Sequence, residues 1–112
     1  MDLIPEDAKL ITLSKASRAR TGATEGAAVR DLDGRTYTAA TVNLPSLQIS
    51  ALALAVAQAV SSGARGLEAA AIATDAETVR DADLAAVRDL AGGAVPVFVA
   101  DPAGNPRTQV AS

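Results

Sequence analysis

A chain of 112 residues, 49% apolar and 21% charged, has the composition of a folded globular protein and too much hydrophobicity for a disordered one. Its net charge of −3 offers no basic footprint for nucleic acid or an anionic membrane, so neither is an expected partner. With no Cys and no His it lacks disulfides, thiol nucleophiles, imidazole bases and the usual zinc ligands, and one Phe, one Tyr and no Trp leave little to stack on a base or sugar. No metal and no other cofactor is expected.

The opening Met1-Asp2-Leu3-Ile4 has neither the basic nor the apolar region of a signal peptide, which points to the cytoplasm. Pro5 suits the first turn of a helix, Glu6 and Asp7 its positive end, Lys15, Arg18 and Arg20 its negative end, and Gly22 a cap, giving a helix over 5–20. Residues 26–30 and 35–39 flank Asp33-Gly34, a pair that tolerates a tight reversal, and read as a β-hairpin. Pro45-Ser46 is expected to open a second helix. From Ile49 to Val60 that helix is apolar on nearly every face, broken only by Ser50 and Gln58, so it has to be buried all round. It is too short for a bilayer, which takes about twenty residues.

Leu67 to Thr74 then reads as a strand and Glu77 to Ala91 as a third helix, with Leu84, Val87 and Ala91 on one face. Val95 to Val99 is a strand apolar on both sides, Asp101 to Asn105 is turn chemistry, and Arg107 to Val110 adds an edge strand. The order implies one α/β domain over 1–112. Its architecture is a three-layer α-β-α sandwich whose mixed sheet has an N-terminal hairpin followed by parallel strands.

The stretch from Glu25 to Thr38 resembles the V-G-A-A … D-G-x-x-[YF]-x-G hairpin of the small zinc-dependent cytidine deaminases. Ser50-Ala51-Leu52 through Val60-Ser61-Ser62-Gly63 is similar to their C-A-E-x-x-A … A-V-S-x-G helix, and Ala71-Ile72-Ala73-Thr74-Asp75 to the strand before their P-C-x-x-C helix. The resemblance implies their fold, and it implies a degenerate member. In the family a Cys or His and the two Cys bind zinc, which activates a water, while the Glu carries the proton. Here the first ligand aligns with Ser50, the Glu with Leu52 and the two Cys with Asp83 and Ala86. The family's ribose-gripping N-x-E aligns with Thr41-Val42-Asn43 and its ring-stacking Phe with Ala23, and the C-terminal helix that usually follows is missing after Val110.

These substitutions imply a catalytically inactive, cytidine deaminase-like protein that acts by binding or assembly. Leu52 in place of a charged residue makes the former catalytic position apolar, which implies neighbours that close in. The alternative is a diverged nucleoside- or nucleotide-binding protein, or a carboxylate-metal enzyme using Asp75 and Asp101 with Asp81 or Asp83, although Asp is also a common cap and turn residue. Ser50 as a nucleophile would need a base, and helix capping explains it better. The all-apolar second helix asks for cover that the other helices, wet at Lys15, Arg18, Arg88 and Asp89, do not supply. A homo-oligomer, dimer or tetramer, is therefore expected, and an unidentified protein partner is the other candidate to cover that face.

Overall fold

A computed structural model describes residues 1–112. The first helix, α1 (Pro5–Thr21), has Glu6 and Asp7 in its first turn and Arg18 and Arg20 in its last, each sign where the helix dipole favours it. Gly22 ends it at φ 65° and donates its N–H to the Arg18 carbonyl. Strand β1 (Gly26–Asp31) then pairs antiparallel with β2 (Thr36–Ala40). The buried Asp31 carboxylate ties the turn between them: Oδ1 accepts from the Asp33 and Arg35 amides at 2.9 Å, and Oδ2 from the Tyr37 hydroxyl at 2.8 Å.

The next segment corrects the expectation of a helix from Pro45. Strands β3 (Val42–Leu44) and β4 (Leu47–Ile49) form a second hairpin that turns at Pro45-Ser46, and α2 (Ala51–Ser61) starts later. Proline is as favourable at the second position of a tight turn as in a first helical turn, and the alternating Val42, Leu44, Leu47 and Ile49 settle the contest for strands. Ser50 is the stronger helix start, because its hydroxyl accepts from the Ala53 amide at 3.2 Å.

Strand β5 (Leu67–Ala73) leads to α3 (Asp81–Ala91), which begins after Glu77 and not at it. Residues 74–80 form a loop whose backbone is engaged elsewhere. The Ala76 amide donates to Thr74 Oγ1 at 3.0 Å, and Arg107 Nη1 donates to the carbonyls of Thr74, Asp75 and Ala76 at 3.3–3.5 Å. Strands β6 (Pro96–Ala100) and β7 (Pro106–Ala111) complete a sheet of order β2-β1-β5-β6-β7. Only β5 and β6 are parallel, joined through α3; the other neighbouring pairs are antiparallel.

Alternate side chains of the sheet feed two cores. Leu10 and Ile11 of α1 pack on Ala28, Ala71 and Phe98, while Leu52, Ala55 and Val56 of α2 and Val87 of α3 pack on Val29, Ile72 and Val99 of the opposite face. The α-β-α layering is thus as expected. Helix α2 is not buried all round within the chain, however: Ala51, Leu52, Ala55, Val56 and Ala59 face the core, but Ala57 and Val60 are exposed. No helix is long and apolar enough to cross a membrane.

Candidate functional site

The antiparallel register of β1 and β5 sets Gly26 opposite Ala73, so Glu25 and Thr74 face each other one residue beyond the pairing. The first turns of α2 and α3 arrive at the same place, and a continuous set of polar contacts joins all four. Thr74 Oγ1 donates to Glu25 Oε2 at 2.6 Å, and Arg80 Nη2 donates to Glu25 Oε1 at 2.7 Å. The same Nη2 lies 3.0 Å from Asp83 Oδ2, a charge contact without hydrogen-bond alignment, while the Ser50 hydroxyl donates to Asp83 Oδ1 at 2.6 Å.

Burial makes these contacts consequential. The Glu25 and Asp83 side chains are 7% and 5% exposed, whereas Arg80 is 56% exposed. A carboxylate removed from water is costly unless a cation and hydrogen bonds replace its hydration. The guanidinium supplies that cation, and the Glu25 hydrogen bond, ahead of the charge of both carboxylates, holds Arg80 above its ordinary arginine range. Asp83 also sits in the first turn of α3, where the helix dipole favours an anion.

A cleft of about 390 Å³ opens over this network, lined by Thr24, Thr41, Val42, Asn43, Gln48, Ile49, Ser50 and Arg80. Of the positions singled out in the sequence, Thr41, Asn43 and Ser50 line it, and Asp83 lies beneath Ser50. Thr41 Oγ1 is bound to the Glu25 backbone, accepting from its amide at 3.1 Å, which ties the start of β1 to the cleft wall. Ala23 lies at the end of α1, its amide donating to the Arg18 carbonyl, and Thr24 takes the place in the lining. Leu52 is fully buried in the core among the α2 and sheet side chains and does not line the cleft.

Ala86 falls elsewhere. One helical turn past Asp83, it lines a separate apolar cavity of about 310 Å³ with Val56, Val60, Asp89 and Leu90. Around Leu52 the neighbours are apolar, while the charged and hydroxylic groups meet beside it, at Ser50, Arg80 and Asp83. The acidic alternative is not assembled: Asp75 is 81% exposed, both Asp101 oxygens accept from Asn105, and no three His, Cys, Asp or Glu side chains group together as for a metal. Ser50 Oγ is committed to the Ala53 amide and to Asp83, which is the geometry of a cap.

Glu25, Thr74 and Arg80 were not legible as site residues. The available signals were a charge directly before the apolar Gly26-Ala27-Ala28-Val29 run for Glu25 and the three-residue spacing of Arg80 and Asp83 for Arg80.

The model of the family described as cytidine deaminase-like matches residues 3–104. Among solved structures the chain is similar to the cytidine deaminase of Burkholderia pseudomallei, with a TM-score of 0.78 at 22% identity, covering 91% of this chain and 89% of that one. It is similar also to the Mycobacterium leprae cytidine deaminase (TM-score 0.71, 19% identity, 95% and 94% covered) and to that of Mycobacterium tuberculosis (0.66, 22%, 88% and 86%). No curated protein sequence matches the chain.

Proposed function

The chain belongs to the cytidine deaminase-like family, and from that premise we propose that it is a single deaminase-like domain over residues 1–112 that acts by binding or assembly and not by deamination. The observation that carries this reading is the direct 2.6 Å hydrogen bond from Ser50 to Asp83, with Arg80 Nη2 against the same carboxylate. Ser50 aligns with the family's first zinc ligand. On this reading the C-x-x-C spacing is taken on Arg80 and Asp83, the two side chains joined to Ser50 by these contacts, one turn before Asp83 and Ala86.

Zinc does not fit this donor set. It takes thiolate, imidazole or carboxylate donors, and the three positions carry a hydroxyl, a guanidinium with no lone pair to give, and one carboxylate. The proton carrier's position holds Leu52, buried in the core. Tag-free protein is expected to contain far less than one zinc per subunit by elemental analysis, and to leave cytidine and deoxycytidine unchanged. Turnover that follows the protein through purification overturns the reading.

The open cleft favours a second reading, a diverged nucleoside-binding protein. Its walls carry Thr24, Asn43 and Gln48, hydrogen-bonding groups suited to a neutral polar ligand. Thermal stabilisation that grows with added nucleoside distinguishes this from an assembly role. The assembly role rests on the outer stripe of α2. Val60 is 55% exposed, and with the Val56, Ala86 and Leu90 cavity beside it the stripe offers an apolar face that a second copy covers in a dimer or tetramer.

A further inference from the structure

We infer that the Arg80 guanidinium is a built-in cation standing in for the metal ion, holding together two buried acids that would otherwise repel. One nitrogen does this: Nη2 lies 2.7 Å from Glu25 Oε1 and 3.0 Å from Asp83 Oδ2. Each carboxylate also accepts from a hydroxyl, Glu25 from Thr74 and Asp83 from Ser50, both at 2.6 Å. The convergence of two acids on one positive centre, each acid backed by a hydroxyl, is the arrangement of an ion site, with the ion covalently attached to the chain.

Charge balance supports the assignment. Two carboxylates face one guanidinium, and the remaining negative charge lies where α2 and α3 both begin, each N-terminus contributing roughly half a positive charge. The side chain reaches the centre from the residue before α3, and it lines the cleft as well, 56% exposed. A guanidinium stays protonated and has no open coordination position, so it cannot lower the pKa of a bound water as a metal does. The centre is therefore permanently closed to metal, and Arg80 is a positioning residue for the floor of the cleft. The inference deepens the non-catalytic reading and rests on it only for the comparison with the metal.

A double-mutant cycle on the full chain tests it. Thermal melts are compared for the wild type, Arg80→Ala, the Glu25→Gln/Asp83→Asn pair, and all three substitutions together. If Arg80 serves to neutralise the two acids, Arg80→Ala lowers Tm by roughly 10 °C or more in the wild-type background and by less than half as much in the Glu25→Gln/Asp83→Asn background. An equal loss in both backgrounds overturns the inference. Should Arg80→Ala fail to fold, the triple variant decides: folding supports the role, and its failure while Glu25→Gln/Asp83→Asn folds overturns it. Deamination by the wild type bears on the proposed function alone, and the cycle on Arg80 alone.

Discussion

Restoring the family's proton carrier by Leu52→Glu should cost stability and restore nothing. Leu52 is fully buried in the core, so the substitution first forfeits about 2 kcal/mol of apolar burial. The carboxylate then finds no partner among the Ala, Val and Ile side chains of that cluster, a further cost of about 2 kcal/mol. Its place in the first turn of α2 offsets about 0.5–1 kcal/mol through the helix dipole. The net loss, about 3 kcal/mol, is a large fraction of the 5–15 kcal/mol typical of a whole domain. Urea melts measure it, and pH separates the two terms. Burial raises the introduced carboxyl above its unfolded value of about 4.3, so the native variant holds a proton that the unfolded chain has lost between that value and neutrality. Stability of the variant therefore falls, relative to wild type, as pH rises from about 4 to 7. Equal or greater stability at neutral pH, or a deficit that does not change with pH, refutes the claim that the former catalytic position is dry core.

Tyr37 is the chain's one tyrosine and there is no tryptophan, so its ionisation is directly visible in ultraviolet absorbance. The hydrogen bond to Asp31, followed by burial, holds it above its ordinary value near 10, and Asp31→Asn should bring the midpoint back toward that value. For Asp31 itself burial pushes the carboxyl up, but the hydrogen bonds from Tyr37, Arg35 and Asp33 outweigh it and leave the carboxyl below 3.8. The stability it contributes is present above that pH and lost as pH falls through its lower native value, so acid melts of wild type and Asp31→Asn should converge. At neutral pH Asp31→Asn should cost about 2 kcal/mol. Light scattering at micromolar concentration should give a multiple of the chain mass that Val60→Asp reduces to one chain; a wild type that stays at one chain as concentration rises removes the assembly model.

The outer elements of the fold were readable because their signals are local. Pro5, Glu6, Asp7 and Gly22 bracket α1, and Asp33-Gly34 marks the first hairpin, each acting within a few residues of where it stands. The two misplaced helix starts depend on partners that no local pattern names. Pro45-Ser46 fits a helix start and a turn equally, and the pairing of Val42 with Ile49 and Leu44 with Leu47 selects the turn. Glu77 failed to begin α3 because Arg107, 31–33 residues away, engages the carbonyls of residues 74–76.

The site divides along the same line. Ser50, Thr41 and Asn43 were placed through the resemblance to the family's motifs, which are local runs of sequence, and the cleft gathers all three. Glu25 and Arg80 could not, since each is one charge among the chain's 13 acids and 10 bases until the fold brings them within 2.7 Å. What composition does require is narrower: a chain without Cys or His that buries acids at this position has to supply a cation from Lys or Arg. Of those two, Arg can lay one end of a planar fork between two carboxylates while its other nitrogens stay hydrated in the cleft, which fits a side chain fixed at its tip and 56% exposed.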